Sequence, residues 1–419
     1  MPRLHENMST GERIAVWRVY RGLTQEACAG LCGKSLSWWK KVEAGVRHVE
    51  RLSDLITIAG VLRIKDLAEL TGAVDVGLAL DVQRDHPLLP AVRAAMGAQY
   101  DPMFGTDRTA DQANRPSMAG VRARVERAWE VWRTSPHLYT RVGETLPNLI
   151  LDALLVREGA DRAGQRESAA LLCPTYLLAK HFCQKVNAFD LAVIAAERFV
   201  ECARQADNPL LMALGSWQLL GLYNGLGRPE EALETGLTGA ASLQPVLDRG
   251  DPPEDYLSLW GSLQLGAALS AARACDDGRA WRLWDNSHQA TRALPNGHVH
   301  PYTMFCASNV ASYTVTIPVE LGQAGKAVTA SERFDPATLP CAERRARGYI
   351  DLARGYAGRR DDVAAVHVLE RAERESPEEV AYSTLVHEIV HAMMRRDRKS
   401  ITGELRGLAR RIGMVGPSV

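Results

Sequence analysis

The spacing of apolar residues follows a helical period along most of the chain. Between residues 9 and 72, apolar side chains recur every three or four positions in five short segments, most of which begin near Ser or Thr and end at Gly. From residue 118 onward the same period continues in longer segments, and almost no stretch alternates with a period of two. The pattern therefore predicts an all-α protein.

Changes in composition divide the chain into three parts. Residues 1–72 predict a head of five helices, each two to three turns long. Residues 73–117 include "GAQYDPMFGTDRTADQANRPSMAG", and their Gly, Pro, Asp and Asn content predicts a linker around one short helical piece. Residues 118–419 predict a body of helical hairpins, joined by turns such as "GRPEE" and "GRRDD".

The body contains a degenerate internal repeat. In "LLGLYNGLGRPEEALETGL", Tyr223, Gly227 and Ala232 have the spacing of a tetratricopeptide repeat: the tyrosine fills the gap between two helices, the glycine makes the turn, and the alanine allows close approach. Arg360 stands where a later copy would have its glycine. Small residues at the equivalent close-approach position are Ala232, Ala280, Ala327 and Ala365. We therefore expect a degenerate tetratricopeptide-like solenoid over residues 118–419.

Composition indicates the cellular compartment of the protein but not its function. The 419 residues carry no net charge, so the whole chain indicates neither a nucleic-acid nor a membrane partner, and charge has to be considered locally. The eight cysteines are scattered without a C-x-x-C pair, which is typical of small apolar fillers in a reducing compartment. No apolar run approaches the ~20 residues of a membrane span. We expect a soluble, cytoplasmic protein.

The segment "GLTQEACAGLCGKSLSWWKKVEAG" resembles the helix-turn-helix of the Cro and phage-repressor (XRE) family. Gln25 opens the second helix, Gly33 makes the turn, and Ser35 caps a third helix over residues 35–44. In that family the third helix enters the major groove of double-stranded DNA. The resemblance covers about a sixth of the chain and implies a sequence-specific transcriptional regulator.

Helical geometry then assigns roles within the third helix. Trp39 and Val42 face back into the head and are expected in its core, whereas Trp38 lies at the edge, near the DNA backbone or a neighbouring helix. Side chains pointing into the groove would read bases, and basic or amide side chains beside it would hold phosphates. The predicted DNA-contacting residues are Gln25, Ser35, Leu36, Ser37, Trp38, Lys40, Lys41 and Arg47.

Local charge agrees with this assignment. Residues 34–51 hold five basic and two acidic side chains, a net charge of plus three that would make DNA binding sensitive to salt. Arg18 and Glu43 lie where the family pairs its first helix with its third, which predicts a structural ion pair. Because Leu36 and Ser37 offer few hydrogen bonds to bases, we expect a homodimer reading two half-sites about one helical turn apart.

A repressor-type head on a helical-hairpin body resembles the bacterial regulators, including those of actinobacteria, that sense a signalling peptide in quorum sensing. The resemblance implies that the body dimerises and binds a peptide or small-molecule ligand that changes the placement of the two heads. Asparagines clamp peptide backbones because a carboxamide both donates and accepts hydrogen bonds. Asn224 and Asn309 are the predicted ligand contacts.

Two alternatives to a transcriptional regulator belong to other functional classes. "VHEIVH" contains H-E-x-x-H at His387, Glu388 and His391, the pattern of a zinc metallopeptidase. No histidine follows His391, and the basic amphipathic flank is not typical of a catalytic cleft, so we expect neither an enzyme nor a cofactor. The second alternative is a protein-docking scaffold whose head does not bind DNA.

Overall fold

The computed structural model describes residues 8–49, 52–62, 64, 67–72, 86–98, 115–396 and 402–414. The protein is all-α, as the sequence predicted. The head contains five helices: α1 (Thr10–Tyr20), α2 (Gln25–Leu31), α3 (Leu36–Glu43), α4 (Leu52–Leu62) and α5 (Ala68–Thr71).

Side-chain caps fix where the first three helices begin. Ser9 accepts a hydrogen bond from the backbone of Glu12, whose carboxylate reaches back to the Ser9 N–H. Thr24 and Ser35 cap α2 and α3 in the same way, by accepting from the backbone N–H three residues on. Each cap satisfies a backbone donor that the helix itself leaves unpaired. The predicted caps are therefore confirmed.

The head encloses its own apolar core. Trp39 and Val42 of α3 are fully buried, as predicted, and pack with Ile14 and Trp17 of α1. Helix α1 approaches α3 so closely at Gly11 that a Cβ there would overlap the carbonyl oxygen of Val42. Only glycine therefore fits at this crossing of α1 and α3.

The body is a stack of antiparallel helical hairpins, in which each hairpin packs on the next. It begins with α6 (Leu89–Gly97) and α7 (Met118–Thr134). The helices that follow are α8 (Leu138–Glu158), α9 (Gln165–Lys185), α10 (Phe189–Ala206), α11 (Pro209–Gly225), α12 (Pro229–Leu247), α13 (Glu254–Arg273), α14 (Asp277–Arg292), α15 (Ala307–Glu320), α16 (Ala324–Ser331), α17 (Ala342–Gly358), α18 (Asp362–Glu375), α19 (Pro377–Ala381), α20 (Thr384–Arg396) and α21 (Thr402–Arg411).

The repeat positions behave as the spacing predicted. Ala232, Ala280, Ala327 and Ala365 are all fully buried where the two helices of a hairpin meet. The tight turns of five hairpins each contain one residue with positive φ, which only Gly adopts without cost. These turn residues are Asn187, Gly227, Cys275, Gly322 and Arg360. Non-glycine residues at three of the five turns explain why the repeat is hard to recognise in the sequence.

Part of the predicted linker belongs to the body. Helix α6 packs against α8, and its Leu89, Val92 and Met96 are buried in the largest apolar core. The sequence placed this short helical piece within the linker over 73–117, and in the structure its apolar face packs against α8. Residues 73–85 and 99–114 lie outside the described residues.

The last hairpins return to the first ones. The carboxylate of Glu378 in α19 accepts hydrogen bonds from the backbone N–H groups of Tyr139 and Thr140, at 2.7 and 3.2 Å, and so caps the start of α8. Glu379 accepts from the Tyr139 hydroxyl, and Lys185 of α9 lies 2.6 Å from a carboxylate oxygen of Glu379. These contacts close the stack into a ring with an inner face.

Within the described ranges, no helix is long and apolar enough to cross a bilayer.

Buried ion pairs join the first helices of successive hairpins. Glu320 of α15 lies 2.9 Å from Arg273 of α13 and 3.1 Å from Arg354 of α17, and all three side chains are largely withdrawn from water. Burial alone would raise the pKa of Glu320, but the two guanidinium groups outweigh it and hold this pKa well below its usual value. One carboxylate therefore links three hairpins.

We predict that Glu320→Gln destabilises the body by about 3–5 kcal/mol, because two buried guanidinium groups lose their shared counter-charge. Urea unfolding followed by circular dichroism measures this loss. Glu332→Gln, at an exposed carboxylate without an ion pair among the described residues, is the matched control and should change stability by less than about 0.5 kcal/mol. Equal effects of the two substitutions would contradict the assignment.

Candidate DNA-binding and ligand-binding sites

Helices α2 and α3 form a helix-turn-helix around Gly33. Gly33 has a φ of +62°, and its neighbour Lys34 donates its backbone N–H to Ala29, which ends α2. Ser35 then starts α3 at once. The buried Ala29 lies within the head core, where a small residue permits close packing. The turn thus holds α3 at a fixed angle across α2.

Glu43, at the end of α3, is the anchor of this arrangement. Its carboxylate accepts from the Arg18 guanidinium at 2.5 and 3.0 Å, which confirms the predicted ion pair. It also accepts from the Gln25 amide at 2.7 Å and the Trp39 indole N–H at 2.6 Å. Burial would raise the pKa of Glu43, but hydrogen bonds from Arg18, Gln25 and Trp39 lower it overall. One buried carboxylate therefore holds α1, α2 and α3 together.

The outward surface of α3 carries the remaining predicted DNA contacts. Ser35, Ser37 and Lys40 are exposed, and Leu36 and Lys41 are half-buried. Gln25 is different, because its amide is turned toward Glu43 in this conformation. Contact of these side chains with DNA stays a prediction. The exposed face nevertheless has the polar and basic character that a groove-facing helix requires.

Trp38 is not an edge residue. It is 4% exposed, and its ring is flanked by two cations, with the Lys34 ammonium 5.4 Å and the Arg47 guanidinium 6.0 Å from its centroid. A cation over an indole face is favourable and orders both partners. The ring is thus covered in this structure, and its position near a DNA backbone stays a prediction.

The same two cations also contact the body. Lys34 donates to the carbonyl of Gly227 at 3.2 Å, and Arg47 donates to the Cys275 sulfur at 2.9 Å. Beyond them, the carbonyl oxygen of Val46 lies where a Cβ on Gly322 would approach it to 2.6 Å. We call Gly227, Cys275 and Gly322 the turn edge, because they are the positive-φ turns of three consecutive hairpins.

The inner face of the ring carries a second cluster, which we call the inner charged cluster: Lys180, Lys185, Glu343, Arg344 and Arg347. It is formed where α9 meets α17. Lys185 lies 2.6 Å from Glu343 as well as from Glu379, so it takes both nearby carboxylates. Arg344 reaches Glu343 only at 3.4 Å, and Arg347 reaches Asp351 at the same distance.

Lys180 is the unusual member of this cluster. It is 3% exposed, and no ion pair or hydrogen bond of its ammonium is found among the described residues. Its Nζ lies beside Gly221, 3.5 Å from the position of a Cβ there. Burial, followed by the charges of Lys185 and Arg344, lowers the pKa of Lys180 to about 7. An ammonium in this position lacks a counter-charge.

The predicted ligand contacts Asn224 and Asn309 are both buried. The Asn224 amide donates to Ser270 at 2.8 Å between α11 and α13, while its carbonyl oxygen has no hydrogen-bond partner among the described residues. Asn309 lies one turn before Tyr313, whose pKa is raised by burial and which lies near Arg344. Binding of a ligand by either asparagine stays a prediction.

The H-E-x-x-H segment lies on α20. His387 Nε2 donates to the carbonyl oxygen of Ala381 at 2.8 Å. Burial lowers the pKa of His387. Over the part of the chain that the structure describes, no group of three or more His, Cys, Asp or Glu side chains could hold a metal ion.

Comparison with known proteins adds little. No protein family and no curated protein matches the chain. Among solved structures, BtubC from P. vanneervenii is similar over 62% of this chain and 91% of its own, with 15% identity and a TM-score of 0.30. Likeness at that level carries no argument about fold details or function.

Sequence reasoning missed Lys34, Lys180 and Arg344. Lys34 counted only toward the local charge, because its partner Gly227 is 193 residues away. Lys180, in the apolar segment "LLAKHF", could have been recognised as a charge on a buried helix face. Arg344 lies in "ERRAR", where nothing distinguishes an inward arginine from a solvated one.

We predict that Glu43→Gln lowers the stability of the head by about 3–5 kcal/mol, because Arg18 loses its buried counter-charge. Since the pKa of Glu43 is lowered by folding, its contribution is complete above pH 4.5, its ordinary value, and is lost as the pH falls below it. Hydrogen exchange of α1–α3 amides measures the loss. Glu26→Gln, at an exposed glutamate of α2, is the control. Equal exchange in both variants would contradict this role.

Proposed function

We propose that this protein is a DNA-binding transcriptional regulator whose α3 enters the major groove. The observation that carries the proposal is the helix-turn-helix held by Glu43, with polar and basic residues on the outward face of α3. Its arrangement matches the resemblance to the XRE family in which an ion pair joins the first and third helices. The proposal includes a homodimer, because one copy of α3 offers few base-reading groups.

Two substitutions distinguish a residue that reads bases from one that binds phosphates. Selection from a random DNA pool by the full-length protein should enrich an inverted repeat with half-sites about one helical turn apart. Lys41→Ala should cost about 1–3 kcal/mol and relax the preference at one base pair, whereas Lys40→Ala should weaken all sequences alike and lower the salt slope by about 1. Lys326→Ala, at an exposed lysine of the body, is the control and should bind unchanged.

Failure of this experiment has a defined meaning. If the wild-type protein and the isolated residues 1–72 enrich no DNA, the regulator proposal is wrong, and the scaffold alternative replaces it. If Lys41→Ala binds its selected sequence as tightly as the control variant does, α3 is not the reading helix.

We further propose that the body binds a ligand on the inner face of the ring. Lys185 pairs with Glu343 of α17 and Glu379 of α19, and Arg344 reaches Glu343 only at 3.4 Å, so among the described residues Lys180 has no counter-charge and the Nε of Arg344 has no hydrogen-bond partner. A ligand carrying a carboxylate or phosphate group would satisfy both cations. This chemistry fits the free carboxyl end of a signalling peptide and also a small organic acid.

We predict that anionic ligands stabilise the protein through Lys180. Thermal unfolding is measured with inorganic phosphate, and with short peptides that have either a free or an amidated carboxyl end, at constant ionic strength. A ligand at a hundred times its Kd stabilises by about 2.7 kcal/mol. Lys180→Met should lose the stabilisation, and the control Lys326→Met should keep it. Equal shifts with free and amidated peptides, and none with phosphate, would contradict the anion site.

A further inference from the structure

The structure brings the recognition helix and the body into direct contact, and the contact lies on the side of α3 that carries Trp38. Lys34 lies just before the cap of α3, and Trp38 and Lys41 lie three positions apart on the helix itself, so these two share one flank. Lys34 and Arg47, which flank the Trp38 ring, both donate to the turn edge. Cys275 of the turn edge packs against the apolar cluster of the head that contains Trp38.

The width of the major groove determines whether α3 can contact the body and DNA at the same time. The groove is about 12 Å wide, and a helix with its side chains is about 10–12 Å across. A helix that lies in the groove therefore fills it, and both flanks of the helix face sugar-phosphate walls. A body packed against one flank leaves no room for the DNA strand on that side.

We propose that the turn edge (Gly227, Cys275 and Gly322) is a docking surface for the head that competes with DNA for the same flank of α3. The docked state is closed to DNA, and binding requires the head to leave the body. This inference rests on the proposed DNA-binding function and names its regulation. Arg47 is the shared group, because it is a predicted phosphate contact that the docked state engages with Cys275.

The contacts between the head and the turn edge are few, as a reversible docked state requires. One hydrogen bond from Lys34, one from Arg47 and the close approach of Val46 to Gly322 join the two parts. Lys34 also pairs with Asp54 of the head at 3.1 Å, so its charge stays compensated when the head leaves. DNA or a ligand can overcome so small a number of contacts.

The central variant is Gly322→Asn. A Cβ at this position would press against the Val46 carbonyl oxygen, and Asn tolerates the positive φ of +72° better than most residues. Gly297→Asn is the matched control, because Gly297 has a φ of +82° and no atom within 4 Å of an added Cβ. Cys275→Lys, which places a second cation beside Arg47, is an independent second variant. Its native residue is already a non-glycine with positive φ.

Two measurements report whether the head is docked on the body. Affinity for DNA selected from a random pool reports the competent fraction, because the apparent Kd equals the intrinsic Kd divided by that fraction. Alkylation of Cys275, followed by peptide mapping, reports undocking directly, since Cys275 is half-exposed and the other seven cysteines are buried. We expect Gly322→Asn and Cys275→Lys to bind DNA at least about 10-fold more tightly than the wild type, and the Gly297→Asn control to match the wild type.

Cys275 should be alkylated faster in Gly322→Asn, and faster in the wild type once DNA is added. If DNA binds the wild type while Cys275 stays protected, or if both variants bind no more tightly than the control, the competition is overturned and DNA binding stands. If no variant binds DNA although Gly322→Asn exposes Cys275, the DNA-binding function is overturned together with the competition.

Discussion

The carboxylate of Glu43 is the interaction on which the head depends. Four hydrogen bonds from three side chains converge on it, and they come from α1, α2 and α3. A buried carboxylate with that many donors costs less to keep than to disrupt, because each donor would otherwise be left without a partner. The angle between α2 and α3, and with it the surface that α3 presents, follows from this one group.

The two proposed sites use charge in opposite ways. At the turn edge, Lys34 donates to a backbone carbonyl of the body while Asp54 of the head compensates its charge, and Arg47 donates to a thiol. Phosphates would be better partners for both. On the inner face, Lys180 has no such substitute. The head can therefore exchange weak partners for strong ones, whereas the inner face gains a partner only when a ligand arrives.

The sequence predicted what depends on short-range pattern. The helices of the head, their caps at Ser9, Thr24 and Ser35, and the pair between Arg18 and Glu43 all follow from spacing, because local geometry determines them. The burial of Ala232 and its equivalents followed from the repeat for the same reason.

Contacts between distant parts of the chain were not predictable. Trp38 was expected at an edge because nothing in its neighbours indicates that Lys34 and Arg47 reach hairpins about 190 to 230 residues away. Likewise, the apolar face of α6 was visible, but its partner α8 lies beyond a Gly- and Pro-rich segment that masked its membership of the body. The inner cluster has the same origin, because α9 and α17 meet only after the ring closes.

Ring closure also constrains how this body can change over evolutionary time. In an open solenoid each repeat touches only its neighbours, so repeats can be gained or lost at little cost. Here Glu378 and Glu379 bind the beginning of the stack, through the start of α8 and through Lys185. One hairpin more or fewer would carry these carboxylates past their partners. Closure therefore ties the number of hairpins to the geometry of these contacts, whereas the lengths of the loops can differ, as the uneven repeat spacing shows.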